Sequence, residues 1–312
     1  MSVDRVGIGL AALGRPAYIN LGRDGALPAD RGVEELRAAS WAVLDTAYAA
    51  GVRRVDVARS YGRAEEFLSG WLSDRRHGDV TVSSKWGYAY VGDWRLDAEV
   101  HEVKEHSLAR FRSQLAETRD LLGEHLALYQ VHSLTVDSPL FDDVELVAAL
   151  GELAASGVKV GFSTSGPAQA DAIDRALSLN DVSGQPVFTA VQSTWNPLES
   201  SVAPALARAH AAGAQVLVKE PLANGRLAVN PPEPVAGIAS RSGVGPDAVA
   251  LAAALAQPWA DTVLLGPASV AQLTANLAAL DLALTQTELD SLAELAEPAE
   301  QYWAERGALA WN

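Results

Sequence analysis

The chain contains no cysteine and only one methionine among its 312 residues. Without cysteine it cannot form disulfide bonds, thiolate nucleophiles or zinc–thiolate sites. Positive charge is also scarce, with 24 lysines and arginines against 39 aspartates and glutamates, a net charge of −15 and a sequence pI of about 4.8. A chain without a basic stripe cannot replace the counterions of nucleic acid or of an anionic membrane, so we expect neither as a partner.

Long apolar runs are missing too. No stretch approaches the roughly 20 residues of a membrane-spanning helix, and the N-terminal segment MSVDRVGIGL lacks the charged-then-apolar pattern of a signal peptide. We therefore expect a cytoplasmic protein whose partners are small molecules. Hydrophobic residues make up 49% of the chain, which is ample for a large core.

Short β-branched segments alternate with longer segments of helical periodicity along most of the chain. Eight segments are predicted as strands: Val6–Leu13, Arg54–Val57, Val80–Ser84, Leu126–His132, Val158–Phe162, Val187–Gln192, Gln215–Val218 and Thr262–Leu265. The predicted helices are Val33–Ala49, Ala64–Leu72, Ala98–Leu122, Asp143–Ala155, Pro167–Leu179, Ser200–Ala212, Pro246–Ala256 and Ser269–Leu280. Eight such units favour an α/β fold of the (β/α)8 or TIM-barrel type, with an open doubly wound sheet as the alternative.

We expect one domain over residues 1–312. Three segments are longer than a barrel needs: Arg15–Gly32, the loop Trp86–Asp97 after the third strand, and Lys219–Gly245 after the seventh. A C-terminal extension, Thr285–Asn312, follows. The segment GIGLAA matches the G-x-G-x-x-A dinucleotide fingerprint, but a Gly-Arg-Pro sequence stands where the fingerprint needs a helix, so we reject that match.

Four titratable residues fall at or just after predicted strand ends: Asp56, Tyr61, Lys85 and His132. The carboxyl ends of barrel strands converge on one mouth, where catalytic groups collect. An acid that ends a buried strand needs a cation, which Lys85 can supply. We expect the same ammonium to lower the pKa of Tyr61. Taken singly, each residue has a structural alternative, such as a helix cap at Asp56 or a satisfied core histidine at His132.

Together the four residues are typical of a proton donor aimed at a carbonyl oxygen. Such a donor requires a nucleophile that attacks the carbonyl carbon. The sequence offers no thiol and no metal cluster, and we predict no metal site. A hydride from a nicotinamide cofactor is the natural candidate.

Six motifs support this interpretation: GVRRVDVARSYGRAEEFL, SSKWG, LALYQVHS, VKVGFSTS, AVQSTWNPLE and VLLGPASVAQLTANL. In their order and spacing the chain resembles the aldo-keto reductase family over nearly its whole length. The resemblance implies that Asp56, Tyr61, Lys85 and His132 form a catalytic tetrad with Tyr61 as the general acid–base. It also implies that Ser163 and Gln192 hold the carboxamide of a nicotinamide, with Thr164 standing where the family usually has Asn.

The resemblance implies further cofactor contacts after the seventh and eighth strands. In VLVKEPLANGRL these are Lys219, Pro221, Leu222 and Gly225. Lys219 stands where many members carry an aromatic side chain that stacks on the nicotinamide. Trp195 is the candidate to stack on the nicotinamide instead. The adenosine half is expected to contact Gly266, Pro267, Ser269, Gln272 and Asn276.

The residues after the eighth strand also suggest a phosphate site, independently of the resemblance. Ser269 and Gln272 have the spacing of a capping box, and free N–H groups at such a helix start suit a phosphate. The alternative is a plain helix cap with no ligand. Gly266 and Gln272 replace the Lys and Arg that grip the 2′-phosphate in many family members. The resemblance still favours NADPH, with NADH as the alternative.

Aromatic residues crowd the loop after Lys85 and the C-terminal tail. We predict that the loop aromatics form an apolar substrate wall with the tail, made of Trp86, Tyr88, Tyr90, Trp94, Trp303 and Trp311. The alternative is that the loop aromatics pack the loop onto the barrel rim. His101 and His106 are five residues apart, which places them on different faces of a helix, so we predict an exposed helix face rather than a zinc site.

The sequence thus predicts an NADP-dependent oxidoreductase that reduces an aldehyde, ketone or sugar to an alcohol, reversibly. One alternative is a regulatory subunit that binds the cofactor without significant turnover. A second is a barrel glycosidase that uses Asp56 with Glu220, which Lys85 beside Asp56 disfavours.

Overall fold

Eight parallel strands close into a barrel in this protein. The computed structural model describes residues 1–311. With strands numbered in chain order, neighbouring strands around the barrel are β1-β10-β9-β8-β7-β6-β3-β2. The two remaining strands, β4 and β5, form a separate antiparallel hairpin. The predicted (β/α)8 barrel is confirmed.

The strands are β1 Val6–Gly9, β2 Arg54–Asp56, β3 Thr81–Trp86, β4 Tyr88–Tyr90, β5 Glu102–Lys104, β6 Leu126–Leu134, β7 Lys159–Thr164, β8 Ala190–Thr194, β9 Gln215–Lys219 and β10 Thr262–Leu265. The helices are α1 Val33–Ala49, α2 Ala64–Arg75, α3 Leu108–Leu122, α4 Val144–Ala155, α5 Gln169–Leu177, α6 Ala203–Ala211, α7 Arg226–Val229, α8 Glu233–Ser242, α9 Pro246–Leu255, α10 Val270–Leu277, α11 Gln286–Ala293 and α12 Ala299–Gly307.

The helix predicted over Ala98–Leu122 begins ten residues later than expected. Ser107 caps α3 by accepting a hydrogen bond from the Arg110 N–H, and the preceding residues are extended. Val103 pairs with Ala89 in the hairpin of β4 and β5, inside the segment predicted as a loop and a helix start. Pairing with a distant strand decided the conformation here, which local periodicity does not report.

The two ends of the barrel differ in chemistry. Near the amino ends of the strands, Leu128, Ala190 and Leu217 form a small buried cluster inside the barrel. Gly161 of β7 adjoins it, and a Cβ there would lie 2.8 Å from the carbonyl oxygen of Ala190. The larger core lies between the barrel and the helices. Polar side chains are therefore concentrated at the carboxyl ends of the strands.

Three excursions cross that carboxyl end: the N-terminal loop over residues 10–32, the β4–β5 hairpin, and α12 with the tail to residue 311. The N-terminal loop is held by Arg23, whose guanidinium donates to the carbonyl oxygens of Ala12 and Pro16 over 2.9 and 3.0 Å. The same loop meets the segment after β9, where Asn224 Nδ2 donates to the Ile19 carbonyl over 2.9 Å. Within residues 1–311, every helix is too short or too polar to cross a bilayer.

Candidate active site

The four residues predicted as catalytic meet at the carboxyl end of the barrel. Asp56 ends β2, Lys85 is the penultimate residue of β3, and β6 carries His132. Lys85 Nζ donates to Asp56 Oδ1 and to the Val57 carbonyl oxygen, the latter over 3.1 Å. The same nitrogen lies 4.9 Å from the centre of the Tyr61 ring. The rings of Tyr61 and His132 meet edge to face with their centres 5.6 Å apart.

Asp56 and Lys85 form a buried ion pair, 3% and 1% exposed. The second carboxylate oxygen, Oδ2, accepts from the Ser83 hydroxyl over 2.6 Å and from the Gln192 and Gln130 amides over 3.0 and 3.4 Å. A buried pair persists only when its other lone pairs are satisfied, and removing one partner costs about 3–5 kcal/mol. The acid in β2 therefore has the cation that its burial requires, and the ammonium is fixed beneath the site.

The turn that carries Tyr61 is pressed against Gly14. The Gly14 carbonyl oxygen accepts the Arg63 N–H over 2.8 Å, and a Cβ on Gly14 would lie 2.2 Å from the Tyr61 carbonyl oxygen. The next residue, Gly62, has a φ of 59°. Both glycines are needed for this close approach, which sets the direction of the Tyr61 side chain.

Tyr61 is a protonated phenol at neutral pH. Burial raises its pKa well above the ordinary value of 10.0, and the charge of Asp56 raises it further, whereas Arg15 lowers it. The predicted lowering of this pKa is not seen, because burial, the largest cause, outweighs the attraction of the nearby cations. The hydroxyl is therefore in its acid form.

His132 is neutral as well. Burial lowers the pKa of the imidazole well below 6.5, and the nearby cations, first Lys85 and then Lys219, lower it further. Nδ1 lies 3.3 Å from the Ser60 hydroxyl. When that hydroxyl donates to Nδ1, the ring proton is on Nε2, which gives the site an uncharged hydrogen-bond donor.

A β-bulge near the end of β6 sets the direction of His132. The register of β6 against β7 shifts between Val131 and Leu134, and Ser133 has a φ of 53°. The hydroxyl of Ser163 accepts the Ser133 N–H over 2.9 Å and so holds the bulge. Bulges commonly re-aim a side chain beside an active site.

His106 supports the same strand end and does not lie on an exposed helix face as predicted. It is 5% exposed, and burial lowers its pKa to about 4, so the ring is neutral. Nε2 donates to the His132 carbonyl oxygen over 2.9 Å, and Nδ1 accepts from the Ser138 hydroxyl over 2.8 Å. His101 is also buried, stacked on Trp311 with ring centres 4.4 Å apart. Both predictions failed because the segment is a hairpin and not a helix.

A cleft of about 370 Å³ opens beside the tetrad. This volume is typical of sites for small ligands, which span about 300–1,000 Å³. Lys85 lies beneath the floor of the cleft. The predicted site residues that line it are Asp56, Tyr61, His132, Gln192, Lys219, Pro221, Leu222, Gly225 and Gly266.

Other lining residues were missed in the sequence. They include Arg15, Tyr18, Glu102, Ser165 and Arg306. Most belong to the three excursions rather than to strand ends. The length of the segment Arg15–Gly32 was the one available signal, and length does not show where a loop folds.

Comparison with known proteins identifies the family of the chain. The model of the aldo/keto reductase family matches residues 33–297. The chain belongs to the aldo/keto reductase family. Aldo-keto reductase str7 of Strobilurus tenacellus is 26% identical over 305 residues, which cover 86% of this chain and 84% of the relative.

Solved structures show the same fold. Aldo-keto reductase AKR11C1 from Bacillus halodurans, in its holo form, superposes with a TM-score of 0.67 at 21% identity, covering 96% of this chain and 95% of that one. A protein assigned as 2,5-diketo-D-gluconic acid reductase B gives a TM-score of 0.65 at 23% identity, covering 95% and 89%. Family membership makes this protein an oxidoreductase, in a family that generally uses nicotinamide cofactors and small carbonyl compounds.

Two residues predicted to hold the carboxamide lie off the cleft wall of this aldo/keto reductase. Ser163 is engaged with the Ser133 N–H, as described above. Thr164 is fully buried, and its hydroxyl bonds to Gln169 Oε1 over 3.0 Å and to the Ser193 hydroxyl over 2.5 Å. The next residue, Ser165, lines the cleft instead.

The segment predicted for the adenosine half reaches the cleft at Gly266 only. Ser269 caps α10 by accepting the Gln272 N–H over 3.3 Å. Gln272 Oε1 accepts the N–H of Ala268, one residue earlier than in a capping box. Asn276 Nδ2 donates to Asp247 Oδ2 over 2.6 Å. Pro267 is not on the cleft wall either, so the cofactor contacts of these residues stay a prediction.

Of the residues predicted to form the substrate wall, Tyr88 and Trp311 line the cleft, whereas Tyr90 and the other three tryptophans do not. Trp86 is fully buried and packs on Phe111 of α3, because neighbouring residues of a strand point to opposite faces and Lys85 faces inward. Trp94 donates its indole N–H to the Arg31 carbonyl over 2.9 Å, which packs its loop onto the N-terminal excursion. Trp303 belongs to α12, where it is buried, and does not line the cleft.

The expected stacking partners also differ. Trp195 is buried edge to face against Trp259 and does not line the cleft. Lys219 does line it, and burial lowers its pKa to about 8. Its ammonium donates to the Thr194 hydroxyl over 2.6 Å and lies 3.5 Å from Glu220.

Glu220 joins Lys219 to the C-terminal helix. Arg306 of α12 donates to Glu220 from Nε over 2.8 Å and from Nη2. Burial alone would raise the pKa of Glu220, but Arg306 and Lys219 hold it well below its usual range. The cluster contains two cations and one anion, so it leaves one positive charge on the cleft wall below pH 8.

Proposed function

We propose that this protein is a reversible NAD(P)H-dependent carbonyl reductase in which Tyr61 protonates the substrate oxygen. The observation that carries the proposal is the neutral phenol of Tyr61 on the cleft wall, beside the buried Lys85–Asp56 pair and neutral His132. Such a donor is needed where a carbonyl oxygen gains negative charge.

The cleft residues fit a nicotinamide cofactor. Gln192 donates its amide N–H to Asp56, so its carbonyl oxygen remains as an acceptor for a carboxamide. Gly266 lines the cleft, and a Cβ there would meet no atom within 4 Å, which leaves the backbone open to close approach. Lys219 adds a positive charge that suits a phosphate. When bound, such a cofactor supplies a hydride to the carbonyl carbon.

Tyr61 completes the reaction at the oxygen. Reduction turns the carbonyl oxygen into an alkoxide, which is a much stronger base than a phenolate, so the proton leaves the Tyr61 hydroxyl despite its raised pKa. Lys85 lies 4.9 Å from the ring that then carries the negative charge, and Asp56 keeps the lysine there. In alcohol oxidation the phenolate takes the proton back.

His132 orients the substrate in this proposal. With the Ser60 hydroxyl donating to Nδ1, Nε2–H is available to the carbonyl oxygen. A neutral donor stabilises the growing negative charge without competing with Tyr61 as an acid. We propose NADPH as the first cofactor to test and NADH as the alternative.

The test is Tyr61→Phe. Wild-type protein should oxidise NADPH in the presence of aromatic aldehydes, and Tyr61→Phe should lose about 10²–10⁴-fold in kcat because the general acid is gone. Its Kd for NADPH, followed by tryptophan fluorescence, should stay within about twofold, since the hydroxyl acts on the substrate oxygen.

Tyr48→Phe is the matched control, because its hydroxyl bonds to Asp79 away from the cleft. Retained turnover in Tyr61→Phe would contradict the role of this residue. NADPH binding without turnover on any carbonyl would instead favour the regulatory subunit.

A further inference from the structure

A buried guanidinium lies next to the proposed proton donor. Arg15 is 2% exposed, and its Cζ lies 5.1, 5.3 and 4.9 Å from the ring centres of Tyr18, Tyr61 and Trp311. Nη1 donates to the Ser60 carbonyl oxygen over 2.9 Å. Three aromatic rings and this bond fix the guanidinium beside the Tyr61 ring.

Arg15 has hydrogen-bond donors to spare. Nη1 also donates to Glu102 Oε1 over 2.7 Å. Within residues 1–311, Nη1 is the one Arg15 side-chain nitrogen that donates a hydrogen bond. Nε is buried without a partner. Glu102 lines the same cleft and is an acceptor only. Nη2, unlike the enclosed Nε, is not among the buried polar atoms and donates to no residue within 1–311, so the cleft wall presents its N–H groups beside the Glu102 carboxylate.

We propose that the Arg15–Glu102 pair selects carbonyl substrates that carry a hydroxyl group on the carbon next to the carbonyl, and disfavours a carboxylate there. The inference rests on the proposed reduction of carbonyl compounds at Tyr61. A hydroxyl both donates and accepts, so it matches Glu102 and Arg15 together. An alkyl group in its place can neither donate to the Glu102 carboxylate nor accept from Arg15, so it forms neither of these charge-assisted hydrogen bonds.

A carboxylate fits this pair poorly. It accepts only, so it would compete with Glu102 for Arg15 and would bring a second negative charge beside Glu102 in a partly buried site. The pair is already neutral, unlike an isolated arginine. Without Glu102, the same guanidinium would favour a carboxylate, because paired N–H groups match its two oxygens.

The position of the Arg15–Glu102 pair limits which substrate groups it can contact. Arg15 contacts the ring of Tyr61 itself, so groups one carbon from the reacting carbonyl are nearest to it. Tyr88 and Trp311 line the same part of the cleft and leave room for an apolar carbon skeleton.

Three ketones of similar size test the proposal: hydroxyacetone, 2-butanone and pyruvate. In wild-type protein, kcat/KM for hydroxyacetone should exceed that for 2-butanone by about tenfold or more, with pyruvate the poorest. In Glu102→Gln the preference for hydroxyacetone over 2-butanone should fall about tenfold, and pyruvate should gain about tenfold relative to hydroxyacetone.

Two further variants separate charge from shape. Glu102→Asp keeps the charge, so pyruvate should stay poor even if the preference for hydroxyacetone weakens. Glu99→Gln makes the same chemical change on an exposed residue that lines a neighbouring groove and not the cleft, and all three rates should match the wild type.

Unchanged substrate ratios in Glu102→Gln, or an equal fall on all three ketones, would overturn this inference alone. Absence of NADPH and NADH oxidation with every carbonyl compound in wild-type protein would overturn the proposed function, and the inference with it.

Discussion

Lys219 places a titratable charge on the cleft wall. Because burial lowers its pKa to about 8, the side chain is an ammonium at neutral pH and an amine in mild alkali. Glu220 is shared with Arg306, so Lys219 is not fully neutralised. A bound dinucleotide carries phosphates whose attraction to this site depends on that charge.

We predict that NADPH binding weakens as the pH rises through about 8. Below that value Lys219 is charged and attracts the anion, and above it the attraction is lost, so Kd should rise by up to about tenfold between pH 7 and pH 9. Fluorescence titration at fixed ionic strength measures this change.

Lys219→Met should bind weakly and show no such rise, whereas Lys159→Met, which alters an exposed lysine at the start of β7, should behave as the wild type. A Kd that is flat with pH in wild-type protein would remove Lys219 from the cofactor site.

The tetrad was predictable because each member depends on local sequence. An acid in a short buried strand demands a cation, and barrel topology brings the ends of β2 and β3 together. The position of Trp86 was predicted wrongly, although the sequence contained the information needed. Side chains alternate along β3, so Trp86 points away from the side that Lys85 occupies. Arg306 could not be found this way, because its partner Glu220 is 86 residues away and no pattern links them.

At the level of elements, α10 shows how a cap competes with a ligand. Gln272 uses its carbonyl oxygen to satisfy the Ala268 N–H, one of the free donors that a phosphate would need. The segment Gly266–Leu277 contains no lysine or arginine. Sequence spacing identified the helix start correctly, but it could not show which backbone donor the glutamine would take.

We predict that Gln272→Arg raises affinity for NADPH selectively. A guanidinium at this position can form charge-assisted bonds to the 2′-phosphate, which NADH lacks, so Kd for NADPH should fall about tenfold while Kd for NADH stays within about twofold. Parallel titrations with both cofactors measure the ratio. Gln272→Leu serves as the comparison, since it loses the cap without adding charge. Equal changes for NADPH and NADH in Gln272→Arg would show that α10 does not contact the adenosine ribose.

The hairpin of β4 and β5 shows where reasoning about elements fails. Its residues were predicted as a loop followed by the start of α3, yet the two strands pair across eleven intervening residues, and His101 and His106 are buried. Pairing of this kind depends on the partner strand and on the surface beneath it. Glu102, which we propose as a determinant of specificity, is positioned by this hairpin.

In the molecule as a whole, we expect the barrel to determine stability and the segments over its mouth to determine substrate affinity. Close packing around Gly161, Leu128 and Ala190 fills the barrel on the amino-end side of the tetrad. Trp311, by contrast, joins the three excursions: it stacks on His101, meets Tyr18 edge to face with centres 6.3 Å apart, and covers Arg15. Stability should therefore depend mainly on the first region and substrate affinity on the second.

Two substitutions test this separation. Gly161→Ala adds a methyl 2.8 Å from the Ala190 carbonyl oxygen, which should cost about 1–3 kcal/mol and lower Tm by about 2–8 °C, with KM unchanged. Trp311→Ala removes a stacking contact and a cation–π contact at the mouth, so Tm should fall by less than about 2 °C while KM for the carbonyl substrate rises about tenfold. Thermal unfolding and steady-state kinetics on both variants measure the four quantities. If Trp311→Ala lowered Tm as much as Gly161→Ala, the tail would belong to the structural core, because its contacts would then stabilise the barrel and not only the mouth.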